Sequence, residues 1–175
     1  LVRARAGCGR AKDNDDGGFS SHSYGIAALS RALVKFERWD DLLNPKTIPW
    51  RDIYRDKVNK AYFESRAWLG KGDLQRAEKS IAAHADLKKD LDKNKDMERI
   101  YEVETLELKA RLALARGERI TGLSRMAEAA QREFDMQRQY ADPPQYPEAL
   151  YNSLGEAYLN AKSPGLAVEA FEKAL

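Results

Sequence analysis

Asp13, Asp15 and Gly18 stand at positions 1, 3 and 6 of a calcium-loop pattern, in which carboxylate oxygens wrap a hard cation. Position 5 then falls on Gly17 and position 12 on Tyr24, where the loop needs an oxygen ligand and a bidentate glutamate. Without the closing carboxylate the stretch reads as an acidic linker. His22 and His84 are the only histidines, and no HExxH and no second His or Cys occurs at ligand spacing, so no metal is expected. His84 reads as a half-buried contact between two helices, and His22 as a cap-region residue or a ligand contact. Gly7-Cys8-Gly9-Arg10 puts the sole thiol beside an arginine, which lowers a thiol pKa. Nothing around it excludes water, so Cys8 reads as a spectator. There is no GxSxG, no Walker-type loop and no dinucleotide glycine pattern. The expectation is a protein without catalytic residues or cofactor. A small-molecule or metal binder using His22 or Asp13–Asp16 is the minor alternative.

Composition narrows the class further. The chain has 175 residues, 43% of them apolar, which suffices for one domain with a real core. Thirty Lys+Arg against 28 Asp+Glu give +2, without the basic excess of a nucleic-acid binder. Between Asp86 and Arg99, five basic residues meet five acidic ones, the pattern of a solvated helix end, the turn Lys93-Asn94-Lys95 and a new helix start. No apolar run is long enough to span a bilayer. The chain begins at Leu1 rather than methionine, which reads as a processed product or a fragment. The composition fixes no compartment, since one thiol suits the cytoplasm and equally an exported chain that has lost its leader.

The elements that would position any site are helices. Residues 1–20 mix Arg3, Arg5 and Arg10 with Ala, Gly and Asp, and read as a flexible arm. From Ser21 onward helix formers dominate, and breakers collect at Asn44-Pro45, Pro49, Gly70, Gly72, Gly117, Asp142-Pro143-Pro144, Pro147 and Pro164-Gly165. No alternating β-branched run and no Asn-Gly hairpin appears, so the fold class is all-α. Long helices are predicted over Asp52–Gly70 and Asp73–Leu91. The stripe Tyr54, Val58, Ala61, Ser65, Trp68 predicts one buried face on the first.

The breakers are periodic. Gly72, Gly117 and Lys162 are 45 residues apart, each followed five positions on by a small residue: Ala77, Gly122, Ala167. Ile81, Met126 and Phe171 keep the same step, as do His84, Ala129 and Ala174. A fixed period in this range marks a solenoid of helical hairpins, in which the small residue permits close helix approach. The units span about 21–45, 50–92, 96–140 and 147–175. The first is degenerate: Tyr24–Phe36 as a helix, Glu37–Asp40 as a turn, and a short second helix stopped by Pro45.

In the last unit Tyr151, Leu154-Gly155, Tyr158, Ala167, Phe171 and Ala174 resemble the complete consensus of a tetratricopeptide (TPR) repeat. Arg38-Trp39-Asp40 followed by Leu42-Leu43 and Pro45, with Asp142–Pro147 leading into Ser153-Leu154-Gly155, is similar to bacterial TPR-containing proteins of unassigned function. The resemblance covers Ser21 to Leu175. The middle units depart at Glu64, Ser65, His84, Ala113 and Gly122, and the period exceeds the usual 34 residues. Lengthened helices are expected to absorb the extra eleven. The resemblance implies a TPR-like α-α superhelix, a non-catalytic scaffold whose concave groove takes a protein or peptide segment.

Repeat positions that face the groove in that family fall here on Asn59, Tyr62 and Arg66, then Glu104, Glu107 and Arg111, then Asn152 and Glu156. Arg66 and Arg111, one period apart, are expected to project side by side, pairing with a peptide carboxylate or with the neighbouring glutamates. Tyr62 and Arg66 do not match the lysine and asparagine of the carboxylate-clamp subfamily, so chaperone-tail binding is not expected. Leu166, Phe171 and Leu175 are expected to leave apolar area uncovered at the last helix, favouring further repeats or end-to-end self-association. A structural segment of a longer array is the second functional reading.

Overall fold

The computed structural model describes residues 21–91, 95–137 and 148–175, and all regular structure there is helical. The helices are α1 (Ser21–Lys35), α2 (Trp39–Leu43), α3 (Tyr54–Gly70), α4 (Leu74–Asp86), α5 (Lys95–Ala115), α6 (Arg119–Gln137), α7 (Leu150–Asn160) and α8 (Pro164–Lys173). The arm over residues 1–20, with Cys8 and the Asp13–Asp16 stretch, lies outside the described residues, as do Lys93-Asn94 and Asp142–Pro147. Among the described residues no helix is long and apolar enough to cross a membrane.

Four helix ends share one turn. Gly72, Gly117, Lys162 and Glu37 all have positive φ, at 72°, 81°, 57° and 52°. After α3 the Gly72 amide donates to the Leu69 carbonyl and the Asp73 amide to the Trp68 carbonyl, the double hydrogen bond of a Schellman cap. The same pair recurs from Gly117 and Glu118 to Leu114 and Ala113, and from Lys162 and Ser163 to Leu159 and Tyr158. It recurs again after α1, from Glu37 and Arg38 to Val34 and Leu33. Glycine takes this left-handed conformation without strain, whereas Lys162 and Glu37 bear a Cβ penalty on the order of 1 kcal/mol. Asp73 then caps α4 by accepting from the Arg76 amide at 3.0 Å.

Three of these turns close a hairpin, α3 on α4, α5 on α6 and α7 on α8, and the turn after α1 leads into the short α2. Successive hairpins meet through α4–α5 and α6–α7, and α3 also packs on α5. The small residues after the turns, Ala77, Gly122 and Ala167, are all buried. In the last hairpin a Cβ on Gly155 would lie 2.5 Å from the Phe171 ring, so only glycine admits that ring. One and two periods earlier stand buried Ala110 and Ser65, where the counterparts of Phe171 are the smaller Met126 and Ile81.

Helix lengths refine the expectation. α3 has 17 residues, α5 21 and α6 19, but α7 and α8 only 11 and 10. The helix predicted over Asp73–Leu91 ends at Asp86 and tightens into a 3-10 turn, Leu87–Asp90. The carbonyls released there find partners: the Tyr101 hydroxyl donates to those of His84 and Ala85, at 3.2 and 3.0 Å, and the Tyr54 hydroxyl to that of Leu87 at 2.9 Å. α3 is buried over more than one stripe. Asp56, Tyr62, Phe63, Arg66 and Ala67 are buried along with Val58, Ala61 and Ser65, because α1, α2, α4 and α5 all pack against it.

Two apolar cores result. One gathers Ile26, Val34, Leu42, Ile48, Tyr62, Phe63 and Leu108, the other Val103, Met126, Ala130, Leu150, Tyr151 and Leu154. Fully buried side chains such as Leu108 and Leu150 each stabilise the fold by about 1.5–3 kcal/mol. Buried Asp56 fastens α1 to the first core, since Arg51 bonds its carboxylate at 3.0 Å and the Ser23 hydroxyl at 3.0 Å.

Candidate functional site

Polar and charged residues of α3, α5 and the start of α7 form one connected cluster. Tyr62 and Arg66 lie four apart on α3, and Glu107 and Arg111 four apart on α5, so each pair shares a helix face. α3 and α5 pack together and bring the two faces into contact. The Tyr62 hydroxyl donates to Glu107 Oε2 at 2.6 Å. Arg66 Nη1 donates to Glu107 Oε1 at 2.6 Å and to the Tyr62 hydroxyl at 3.1 Å. Arg111 Nε donates to Glu107 Oε1 at 2.7 Å.

The cluster continues toward α7. Arg111 Nη2 donates to Ser153 Oγ at 2.8 Å and to Glu148 Oε1 at 3.2 Å. Ser153 Oγ donates to the same Glu148 oxygen at 2.9 Å, and Arg66 Nη2 lies 3.6 Å from it. Side-chain exposure rises along this path, from 0% at Glu107 and 5% at Arg66 to 23% at Arg111 and 37% at Glu148. The cluster is closed at α3 and reaches water at Glu148.

Its electrostatics follow from this pairing. Burial by itself would raise the Glu107 carboxyl, but Arg66, Arg111 and the Tyr62 hydroxyl overcome it and hold the group below the usual carboxylate range. Burial and the Glu107 charge push the Tyr62 phenol well up, so it stays a donor. Burial works against the Arg66 charge, and Glu107, Tyr62 and Glu148 outweigh it. Two guanidiniums and two carboxylates balance.

A second polar cluster lies between α4 and α5. His84 is buried, stacks on Tyr101 with centroids 4.7 Å apart, and places Nε2 3.1 Å from Glu104 Oε2. Burial raises the Glu104 carboxyl and His84 opposes the rise. Between α6 and α7, buried Glu133 accepts the Leu150 amide at 2.6 Å and so caps α7 from the neighbouring hairpin. Burial pushes its carboxyl up to about 7, against that hydrogen bond and with the charges of Glu107 and Glu148.

Of the residues singled out from the sequence, Tyr62, Arg66, Glu107 and Arg111 meet in one cluster. The first three are buried, beneath the surface and not on an open wall. Asn59 and Asn152 are half-buried and Glu156 is exposed. Glu148, Ser153 and Glu133 were missed. Ser153 sits one residue past the expected Asn152, and Glu148 precedes α7 in a proline-rich stretch with no helical period to read. Of the three residues expected at the uncovered end, Leu166 and Leu175 are exposed, and Phe171 is half-buried against Gly155.

Among the described residues no group of three or more His, Cys, Asp or Glu is placed to hold a metal ion. Two shallow concavities, of about 320 and 220 Å³, lie away from the charged cluster. One runs between α5 and α6, where Arg132 already pairs with Glu102, and the other between α6, α7 and α8 beside Tyr151 and Leu166. Comparison with family models, curated proteins and solved structures returns no match.

Proposed function

We propose that the chain is a non-catalytic scaffold of TPR type that binds a peptide or protein segment along the faces of α3, α5 and α7. On this reading the three hairpins are successive units of one superhelix and α1–α2 a shortened unit. The observation that carries it is the meeting of side chains one period apart. Tyr62 bonds Glu107, 45 residues on, and Arg66 and Arg111, also 45 apart, converge on that same carboxylate. First helices stacked side by side in register bring such residues together. The buried cluster is then the floor of the groove, and Asn59, Arg111, Asn152 and Glu156 are its reachable lining.

The test is selection of peptides from a display library on the purified chain, followed by the Asn59→Ala/Asn152→Ala/Glu156→Ala variant. These three side chains lie outside the buried cluster, so circular dichroism should be unchanged. Affinity for selected peptides should fall about tenfold or more, equivalent to 1.4 kcal/mol. Unchanged affinity for every peptide would refute the groove. A second reading, self-association as a segment of a repeat array, is favoured by exposed Leu159, Leu166 and Val168 on the last hairpin. It predicts that Leu166→Lys/Val168→Lys lowers the mass seen by light scattering while the groove changes do not.

A further inference from the structure

Glu148 differs from every other member of the charged cluster. Tyr62, Arg66, Glu107, Arg111 and Ser153 stand on helices, whereas Glu148 stands two residues before α7 begins. It is also the most exposed member, at 37%. Glu107 is gripped by three bonds of 2.6–2.7 Å. Glu148 is held more loosely: the two guanidiniums approach its Oε1 at 3.2 and 3.6 Å and the Ser153 hydroxyl at 2.9 Å.

We infer that Glu148 is a built-in occupant of a carboxylate seat formed by Arg66, Arg111 and Ser153, and that a carboxylate of an acidic peptide takes its place when the groove fills. The peptide part of this rests on the groove reading above; the seat itself does not. Two guanidiniums and a hydroxyl, fixed on three helices, converge on one oxygen position. Such a seat recognises a carboxylate whichever chain supplies it. With Glu148 swung out, Arg66 and Arg111 face Glu107 alone, leaving one uncompensated positive charge at the water-facing side. That surplus favours an incoming anion and disfavours a neutral amide of the same shape. The exchange swaps one carboxylate for another, so the buried part of the cluster keeps its pairing throughout.

The experiment is chemical rescue of Glu148→Ala. Thermal unfolding is followed in sodium acetate, in acetamide and in sodium chloride of matched ionic strength. Acetate at about 0.1 M, tenfold above a ~10 mM dissociation constant, should raise the melting temperature of the variant by about 3 °C over chloride. Acetamide should not, and neither additive should separate from chloride in the wild-type chain. Where Glu148→Ala does not fold, Glu148→Gln replaces it, keeping an acceptor oxygen without the charge. In parallel, an acetylated hexapeptide ending in Asp-Glu, and its amidated Asn-Gln counterpart, are titrated into both proteins. The acidic peptide should bind the variant about tenfold more tightly than wild type, and the amide should show no gain. Absence of an acetate-specific rise overturns the seat. Rescue by acetate with equal acidic-peptide affinity in both proteins overturns the exchange. Peptides that bind wild type regardless of charge, with no gain in the variant, overturn this inference and leave the groove intact. If no peptide binds either protein, the groove reading falls with it.

Discussion

The packed junction of α3 with α5 and the side-chain junction of α5 with α7, made by Arg111 and Ser153, reach different ends. At the first, Tyr62 and Arg66 face Glu107, and all three are buried. At the second, Asn152 and Glu156 stand where Glu107 and Arg111 stood one period before, yet Arg111 turns back to Glu107 and outward to Ser153 and Glu148. A short neutral amide at position 152 offers no counter-charge, so the arginine takes a carboxylate from outside the helices. The first junction is therefore sealed and the second adjustable. A repeat decides which positions meet, and the individual side chains decide whether the meeting is dry.

This contrast is broken most directly at the residue both junctions share. Glu107→Ala removes the acceptor of Tyr62, Arg66 and Arg111 together and strands a buried guanidinium, so urea unfolding should show a loss of about 3–5 kcal/mol. Arg111→Ala, at the half-open junction, should lose less, about 1–2 kcal/mol. Equal losses would mean that the two junctions do not differ.

Glu133 sharpens the contrast through pH. In the unfolded chain a glutamate ionises near its ordinary 4.5, and in the native state this one does so at about 7. Between those values the native chain keeps a proton that the unfolded chain has released. Stability therefore falls as pH rises, with a loss on the order of 3 kcal/mol that is complete above about 7. Glu133→Gln keeps an oxygen for the Leu150 amide and should flatten this slope in denaturant midpoints measured from pH 5 to 8. An unchanged slope would place the titration elsewhere. The smallest effect is at the turns: Lys162→Gly should stabilise by about 0.5–1 kcal/mol, and Gly117→Ala should destabilise by a similar amount.

Much of this was legible in the sequence because it depends on local rules. The helical class follows from the helix formers and absent strand signals, and the turns follow from Gly72, Gly117 and the 45-residue step to Lys162. The resemblance, carried over at that step, also points to Arg66, Arg111 and Glu107 as neighbours. It did not give their depth. Whether an arginine on a first helix lines a wall or sits under it depends on how closely α3 and α5 approach, and no periodicity encodes that distance. Glu148 and Glu133 escaped for another reason. One lies outside any helix, and the other acts across two hairpins on a backbone amide, which leaves no trace in side-chain pattern.

The caps and the charged cluster also differ in reach along the chain. Each cap joins residues five apart, such as Trp68 and Asp73, whereas Tyr62 and Arg66 find Glu107 45 and 41 residues away. Short closures cost little chain entropy and are made early, long ones late. The hairpins should thus zip before the ion pairs between them assemble, and weakening those pairs should hasten escape from the native state while leaving the refolding rate nearly untouched.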